Sequence, residues 1–343
     1  TVSAMNGAGY GQESAASNPA TPAKEESDSS GRSRGQSLPT PTNTNSGTAG
    51  NTGTGITTTE GGTTVTTFTG DMVRSMEDRE AVLEVKTGDA SYKLPAKEIN
   101  ISEISALLGT DVDLKDIKVQ VEISKPTDDI VKLVEDAAVK GNFTIIVPPI
   151  EFNVTCTYGD RTVSVSDFSS YVERTIAIPP GVDPDKITTG VVIEPDGTVR
   201  HVPTQIILIE GKYYAKINSL TNSTYSVIEH SIEFKDANGH WAKEVLNDMG
   251  SRMIISGTGN DLFEPDKDIT RAEVTAILVR ALGLNTGAKT NPYKDVKASD
   301  WYCGYIKTAN EYKLISGCAD EFSPMDRITR EQAMVMLARA MNI

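Results

Sequence analysis

The sequence is short of the residues on which most catalytic and metal sites depend. Its 343 residues include only three histidines, three cysteines and two tryptophans. Positive charge is scarce too, and the resulting net charge of −14 argues against nucleic-acid binding and against docking on an anionic membrane surface. No apolar run reaches the roughly 18 residues that a membrane span needs. We therefore predict neither a nucleic-acid partner nor a membrane partner.

The three cysteines, Cys156, Cys303 and Cys318, are too few and too scattered for a disulfide framework or a zinc site. Cys303 and Cys318 could pair if their Cα atoms lie within about 7 Å of each other. No glycine-rich phosphate loop, Ser/His/Asp arrangement or metal-ligand spacing occurs. We predict no catalytic residue, no metal ion and no cofactor, and hence that the chain is not an enzyme.

Residues 1–68 consist mainly of Ser, Thr, Gly, Asn and Pro, with scarcely a large apolar side chain. Such a segment cannot bury enough surface to offset its conformational entropy, so we predict a disordered spacer. Its composition suits either an O-glycosylated stalk or a plain flexible tether. The start at Thr1 lacks the basic and apolar regions of a signal peptide, which indicates either processing or a piece of a longer chain.

Residues 70–232 change to short runs with the two-residue period of β-strands. Two of these runs, 143–147 and 151–154, lie on either side of Pro148 and Pro149, so we expect two strands there. The segment is long enough to bury a core of its own. We predict a β-rich domain of α+β or sandwich-like architecture, whose role the sequence does not indicate.

Two helical stretches interrupt these strands, at 101–108 and at 128–138. The second follows Thr127, a suitable N-cap residue. His201 falls in a strand-like run, and a lone histidine on a strand is expected at the protein surface.

The remaining third of the chain contains one unit written twice, with an offset of about 60 residues. Self-similarity at a fixed period indicates a supersecondary unit stacked on its neighbour. We assign the units to residues 233–286 and 290–343. The first contains Phe234, Asp236, Trp241, Gly257, Phe263, Pro265 and Ile269–Arg271, and the second contains Tyr293, Asp295, Trp301, Gly317, Phe322, Pro324 and Ile328–Arg330.

Each unit has the pattern helix, loop, helix. In the first, Trp241, Val245 and Met249 would share one face of the opening helix, and Thr270 with Glu273 fits a capping box before the second helix. The second helix of each unit carries an apolar stripe. The stripes are Val274, Ile277, Leu278, Ala281 and Leu282 in the first unit, and Ala333, Met336, Leu337, Ala340 and Met341 in the second.

Arg271 and Arg330 occupy the first turn of these second helices, where the helix dipole makes a cation slightly unfavourable. An arginine there, together with free backbone N–H groups, would form an anion site. The alternative is an exposed arginine paired with an acid such as Asp268 or Asp326. The two tryptophans leave a similar choice, between core packing and a platform for a sugar ring.

The repeated motifs resemble those of the S-layer homology domain. The resemblance covers about a third of the chain. It rests on Phe234–Asp236, His240–Ala242, Gly257, Phe263–Pro265 and Ile269–Glu273, and in the second copy on Trp301, Gly317, Phe322–Pro324 and Ile328–Arg330. Glu331–Gln332 stands where the first copy has its Ala-Glu pair.

The resemblance implies non-covalent anchoring of an extracellular protein to a bacterial cell wall or surface layer. Domains of this family bind secondary cell-wall polymers attached to peptidoglycan, often ones with pyruvate ketals, in grooves between units of a pseudo-threefold assembly. The polymer-binding residues that it implies by position are Arg271 and Arg330 for the anionic sugar, Trp241 and Trp301 for the groove wall, and Gly257 and Gly317 for the close approach of the backbone. Other surface-layer proteins, or further copies of the chain, are the other partners it allows.

The number of units departs from this pattern, because a third unit is missing before Ile343. We expect a piece of a longer protein; the alternatives are that two units suffice or that chains combine. The main rival to anchoring is a surface-lattice or scaffold subunit whose middle domain drives assembly. A polysaccharide-degrading middle domain is disfavoured, because that domain lacks tryptophan platforms and a convincing acid/base pair.

Overall fold

The structure, a computed structural model, describes residues 5–6, 9–10, 55–287 and 290–341. It divides the chain into two units, 1–49 and 50–343, which are described separately. In the first unit, strands β1 (Met5–Asn6) and β2 (Gly9–Tyr10) pair in antiparallel fashion. The rest of the predicted spacer up to residue 54 lies outside the described residues.

The end of the spacer predicted at residue 68 is wrong, because the chain already forms a β-hairpin before that point. Strand β3 (Ile56–Glu60) pairs with β4 (Thr63–Thr69), and β4 pairs with β7 (Lys118–Ser124). Threonine explains the error: it counts as polar, but its branched side chain favours strands. Its hydroxyls also pair across the hairpin, where the Oγ1 atoms of Thr57 and Thr66 are 2.9 Å apart.

The middle of the chain forms two antiparallel sheets, which confirms the β-rich prediction. The further strands are β5 (Val82–Lys86), β6 (Ala90–Pro95), β8 (Thr144–Tyr158), β9 (Arg161–Ser164), β10 (Asp167–Ala177), β11 (Thr189–Ile193), β12 (Val199–Val202), β13 (Thr204–Ile209), β14 (Lys212–Thr221) and β15 (Thr224–Glu229). Over the described residues, the larger sheet has the order β12-β11-β15-β8-β7-β4-β3 with β9 on β8, and the smaller has the order β13-β14-β10-β6-β5. Side chains from both sheets share one core.

Strand β8 runs through Pro148 and Pro149, where the sequence predicted two separate strands. Prolines cannot donate to a β-ladder, so an uninterrupted register is impossible there. The register between β8 and β15 shifts between the pairs Tyr225–Ile150 and Val227–Val147, at the two prolines. A local bulge therefore accommodates both residues without ending the strand.

The α-helices described in this domain are α1 (Gly70–Glu77), α2 (Ile101–Leu108) and α3 (Asp128–Gly141). The sequence predicted α2 and α3, which are confirmed, and missed α1. Helix α3 extends to Gly141 and ends where Asn142 takes a left-handed φ of 52°. Thr127 has the extended backbone of an N-cap residue, but its hydroxyl makes no capping hydrogen bond.

Arg174 of β10 is fully buried in the shared core, at 0% exposure. Its guanidinium donates to the backbone oxygens of Val172 (3.0 Å) and Thr221 (2.7 Å) and to Oδ1 of Asn222 (3.0 Å), all neutral groups. Its Nε–H finds no partner among the described residues. Four aromatic rings surround its Cζ atom at 4.7–6.0 Å, those of Tyr92, Phe152, Phe168 and Tyr225. These π faces and carbonyl oxygens take the place of water around the cation.

His201 is buried on β12 at 5% exposure, so the prediction that it lies at the surface is wrong. The reason is tertiary, because the second helix of the first repeat packs over this strand. Its Nδ1 lies 2.8 Å from Oγ1 of Thr189. Burial, and then the positive charges of Arg252 and Arg200, lower the pKa of His201 from 6.5 to about 4.

The depressed pKa of His201 predicts a loss of stability in mild acid. The folded protein keeps the imidazole neutral, whereas the unfolded chain binds a proton below about pH 6.5. Stability is therefore lost as the pH falls towards 4, and His201 should account for about 2 kcal/mol of it between about pH 7 and pH 5. Urea denaturation at both pH values should show this difference between the wild type and His201→Asn, whose amide can still contact Thr189. The same pH dependence in both proteins would contradict the prediction.

The repeats consist of four described α-helices: α4 (Lys243–Ser251) and α5 (Arg271–Ala281) in the first, and α6 (Cys303–Glu311) and α7 (Arg330–Met341) in the second. Trp241 precedes α4 and is 87% exposed, and Val245 is also exposed. Of the predicted apolar face of the opening helix, Met249 packs against the core as expected, but Trp241 and Val245 do not, and Leu246 packs there in addition. None of the described helices is long and apolar enough to cross a membrane.

The two predicted stripes have different environments. Helix α5 is buried on more than one side, because α6 and β12 both pack against it; Leu278 of the stripe is buried, and so are Thr275 and Val279. On α7, Met336 is buried, but Leu337 and Met341 are exposed, so the second stripe lacks a cover among the described residues.

All three cysteines are free, so the alternative of a bridge between Cys303 and Cys318 is wrong. Cys303 is buried on α6, whereas Cys318 is exposed in the following loop.

The β-rich domain and the first repeat are in direct contact at the end of α5. The Tyr171 hydroxyl donates to the backbone oxygen of Leu282 at 2.7 Å, and the Arg200 guanidinium donates to that of Gly283. Gly283 has a φ of 62°, and a Cβ there would lie 3.0 Å from the backbone oxygen of His201. Leu220 of β14 joins the apolar core of the repeats. The first repeat therefore packs directly against the middle domain at the end of α5.

Candidate functional site

An aspartate in each repeat holds the loop that leads to the second helix. Asp236 accepts hydrogen bonds from the N–H groups of Phe263 and Glu264, at 2.9 and 2.6 Å. Asp295 makes the same two bonds at the same distances in the second repeat. The N–H of Phe263 is the main cause that keeps the pKa of Asp236 below its usual value. This loop positions the arginine that follows it.

The predicted capping box is present in both repeats. Oγ1 of Thr270 accepts from the N–H of Glu273 at 3.2 Å, and the Glu273 carboxylate accepts from the N–H of Thr270 at 2.8 Å. In the second repeat, Thr329 and Gln332 make the equivalent pair at 3.3 and 3.1 Å. Each box fixes the start of a helix, and with it the position of the arginine in its first turn.

Arg271 extends from the first turn of α5 into the second repeat. Its Nε donates to the backbone oxygen of Phe322 at 2.9 Å, and its Nη2 donates to that of Ser316 at 3.3 Å. The guanidinium lies over the Phe322 ring, with Cζ 4.5 Å from the centroid. Among the described residues Nη1 has no hydrogen-bond partner, so part of the guanidinium is available to a ligand.

Among the residues that the structure describes, no nearby acid pairs with Arg271, so this alternative is not observed. Asp268 pairs with Arg327 at 2.7 Å, and Asp326 contributes only its backbone oxygen, to the N–H of Arg271 at 2.9 Å. The N–H of Ala272 also donates to the loop of the second repeat. The backbone N–H groups that we expected to be free thus donate hydrogen bonds within the fold. Binding of an anion here therefore depends on the Arg271 side chain.

Arg271 lines a groove of about 200 Å³ between the two repeats, which we call the inter-repeat groove. The second repeat contributes Ser316, Gln332 and Arg339 to its polar lining and Val335 and Met336 to its apolar lining. Two guanidinium groups from different repeats therefore face one cavity.

The phenol of Tyr293 lies near both of these cations. Burial raises the pKa of Tyr293, while the charges of Arg271 and Arg339 act in the opposite direction. Nη1 of Arg339 donates to Oγ of Ser316 at 3.3 Å, and no ion pair neutralises Arg339 within the described part of the chain.

Glu331 is the acidic residue of this lining, and it is exposed. Its own backbone N–H, followed by the Thr329 hydroxyl, lowers the pKa of Glu331, so it stays charged. The two arginines and Glu331 together leave the groove with an excess of one positive charge.

The two predicted arginines, Arg271 and Arg330, have different environments in the structure. Arg330 is exposed at the start of α7, and no hydrogen bond or ion pair joins its side chain to the described residues. The difference from Arg271 arises because a further repeat covers the start of α5, whereas none covers the start of α7 among residues 290–341.

The predicted tryptophans do not line the inter-repeat groove. Trp241 is 87% and Trp301 56% exposed, so neither is a core residue. The ring of Trp301 packs edge-on against Tyr302 and Tyr305, with centroids 5.4 and 6.3 Å away. Exposed rings at equivalent places remain compatible with sugar contact on a neighbouring surface.

Gly257 and Gly317 allow a close approach, but within their own repeats. A Cβ at Gly257 would lie 2.5 Å from the backbone oxygen of Leu262, and one at Gly317 would overlap the backbone oxygen of Glu321 and the Tyr293 ring. The space that the resemblance assigned to the polymer is thus occupied by the loop, and both glycines shape it.

Sequence reasoning missed Arg339 and Ser316 as groove residues. Their counterparts in the first repeat, Arg280 and Ser256, form the same contact at the same 3.3 Å. A search of the whole repeat for duplicated charged residues would have found the arginines.

Comparison with known proteins confirms the resemblance. The chain carries two S-layer homology domains, matched by the model of that family at residues 233–275 and 292–334. They lie in tandem in the C-terminal part of the chain and include the capping boxes, Asp236 and Asp295.

The relatives include both enzymes and surface proteins. An amylopullulanase of Thermoanaerobacterium thermosulfurigenes is 26% identical over 79% of this chain and 15% of its own length. Exoglucanase XynX of Acetivibrio thermocellus is 36% identical over 35% of the chain and 11% of its own length. The middle cell wall protein of Brevibacillus brevis is 39% identical over 26% of the chain and 9% of its own length.

The chain therefore spans a small fraction of the length of these relatives. Its domains and its surface-layer relatives together support a role in cell-surface anchoring.

Proposed function

We propose that the chain anchors an extracellular protein to the bacterial cell wall by binding an acidic, pyruvylated secondary cell-wall polymer in the inter-repeat groove. The observation that carries the proposal is Arg271, whose side chain reaches across the repeat boundary and lines the groove, and whose Nη1 has no hydrogen-bond partner among the described residues. A planar guanidinium suits a ketal carboxylate, because it can offer two parallel N–H donors.

Electrostatics support an anionic ligand. In a chain with a net charge of −14, the two arginines concentrate positive charge at one groove. Part of the groove is walled by Val335 and Met336, which lowers the local dielectric and strengthens the attraction. Arg339 adds a second cation, which can donate to sugar oxygens, and Ser316 adds a hydroxyl, which can donate to sugar oxygens and accept from sugar hydroxyls.

We propose no catalytic role for the β-rich domain and treat it as the connection between the anchor and whatever part of the protein the wall displays. The match to an amylopullulanase supports this, because it extends over 79% of the chain and therefore beyond the repeats into the middle domain. A domain that occurs together with the anchor is suited to act as a spacer of fixed geometry.

Co-sedimentation with purified wall sacculi of a surface-layer bacterium tests the proposal. Three preparations are needed: native sacculi, sacculi from which acid has extracted the attached polymers, and sacculi from which only the ketals have been hydrolysed. We expect the protein to sediment with the first and to stay in the supernatant with the other two. Retention in the supernatant with native sacculi would refute the anchor, and undiminished binding after ketal removal would refute the carboxylate as the recognised group.

A further inference from the structure

A second groove lies between the β-rich domain and the first repeat. It measures about 650 Å³, and we call it the junction groove. The hairpin between β11 and β12 contributes Asp196 and Thr198, the end of α5 contributes Arg280, and the following segment contributes Asn285 and Thr286. Tyr305 of α6 forms part of its wall. The β-rich domain and both repeats thus meet in one concave surface.

We propose that the junction groove binds a second acidic sugar unit of the same polymer, with Arg280 as the residue that contacts the carboxylate. This inference rests on the proposed function and extends it to a site that the middle domain helps to build. Its starting point is the internal repeat, because Arg280 and Ser256 repeat the Arg339–Ser316 pair of the inter-repeat groove.

Arg280 is positioned by neutral groups. Its Nε donates to the Tyr305 hydroxyl at 3.1 Å, its Nη1 donates to Oγ of Ser256 at 3.3 Å, and its Cζ lies 4.8 Å from the centre of the Tyr305 ring. No carboxylate pairs with it in the described ranges. The side chain is therefore held in place while its charge remains available, which is the condition for a preorganised anion contact.

The charged side chains of the junction groove leave Arg280 without an ion pair, although the charge of Asp196 balances that of Arg280 in the sum. Glu194 is paired with Arg200 at 2.9 Å, and these two side chains neutralise each other. Asp196 lies exposed at the tip of the hairpin, where it accepts from the N–H and hydroxyl of Thr198. Asp196 forms no ion pair with Arg280 in the described part of the chain, and its carboxylate can accept hydrogen bonds from sugar hydroxyls.

Asn285 and Thr286 complete the polar lining. The Asn285 amide donates to Glu194 at 3.4 Å, a long contact that a sugar hydroxyl can replace, and Thr286 is exposed. An aromatic wall, an amide, hydroxyls and one free guanidinium are the groups that a charged saccharide requires, and the volume accommodates a sugar ring.

The contact between domains keeps the two halves of this groove in register. Gly283 packs against β12, and the Tyr171 hydroxyl donates to Leu282, close to Arg280 in the chain. The middle domain thus occupies a place beside the first repeat and supplies one wall of a binding groove. The middle domain is then part of the anchor itself and also connects the anchor to the rest of the protein.

Equilibrium dialysis of the full chain tests this inference. The probe is a radiolabelled methyl glycoside of a hexosamine with a 4,6-pyruvate ketal, and the same glycoside without the ketal is the control. We expect two bound molecules per wild-type chain and one per chain for both Arg280→Gln and Thr286→Glu. The second variant leaves Arg280 and its contacts intact and places a negative charge in the groove. Arg79→Gln, an exposed arginine of the middle domain, should still bind two.

The outcomes separate this inference from the proposed function. One molecule per wild-type chain, lost in Arg271→Gln and retained in Arg280→Gln, would overturn the junction site and leave the anchor intact. Two molecules in Arg280→Gln and in Thr286→Glu would also overturn it. No binding of the ketal glycoside by the wild type would overturn both. Each variant should give the circular dichroism spectrum of the wild type. The loss of a bound molecule can then be attributed to the groove and not to unfolding.

Discussion

Replacing Arg174 with alanine is expected to lower the free energy of unfolding by about 4 kcal/mol, because the substitution combines a large cavity with the loss of buried hydrogen bonds. The side chain fills the centre of the core between the two sheets, and its removal opens a cavity among four aromatic rings. It also removes the Arg174 donors from the backbone oxygens of Val172 and Thr221, of which the second keeps the Tyr225 hydroxyl as a donor.

The same contacts predict how other residues behave at position 174. Methionine restores most of the apolar volume but no donor, so we expect about half of the alanine loss. Lysine keeps the charge but concentrates it on one ammonium, which cannot reach the two carbonyls and the Asn222 amide oxygen as the guanidinium fork does. The Tyr92 phenol does not neutralise a cation at position 174. Burial raises the pKa of this phenol to about 12, so it stays protonated and donates to Asn222.

Urea denaturation followed by far-ultraviolet circular dichroism measures these differences. Arg79→Ala is the matched control, because Arg79 is exposed and its Nε donates to the backbone oxygen of Ser75 within its own turn. We expect a change below about 0.5 kcal/mol for the control. A loss below about 1 kcal/mol for Arg174→Ala would show that the buried cation costs as much as its contacts return.

The parts of the repeat that were predictable from the sequence are those in which the partners are close along the chain. The capping boxes of Thr270 and Thr329 depend on residues three positions apart, and they form as predicted. The helices α2 and α3 follow from local patterns in the same way. In these cases, periodicity and capping chemistry are sufficient.

The groove residues depend on contacts between distant segments, and the sequence identified them only in part. Arg271 was singled out by its place in the repeat, but its partners Phe322 and Ser316 belong to the next unit, 51 and 45 residues away. His201 was misplaced for the same reason, because the helix that buries it comes from the first repeat. Local patterns do not show which surface a neighbouring unit will cover.

Arg271→Ala is expected to weaken binding to native sacculi by about 30- to 100-fold, whereas Arg330→Ala is expected to change it less than about twofold. The first variant removes a charge-assisted contact worth about 2–3 kcal/mol in the inter-repeat groove. The second removes an arginine of the same motif that faces solvent beyond the described groove. The repeat makes Arg330 a matched control for Arg271.

Arg271→Lys should give an intermediate loss, because an ammonium retains the charge but not the two parallel donors. Quantitative co-sedimentation over a range of sacculus concentrations provides the affinities, and thermal unfolding shows whether the loss of the Phe322 contact has loosened the repeats. Equal losses for Arg271→Ala and Arg330→Ala would mean that the motif arginine acts without its neighbour. A loss confined to Arg271→Ala would mean that a repeat binds the polymer only where the next one completes its groove.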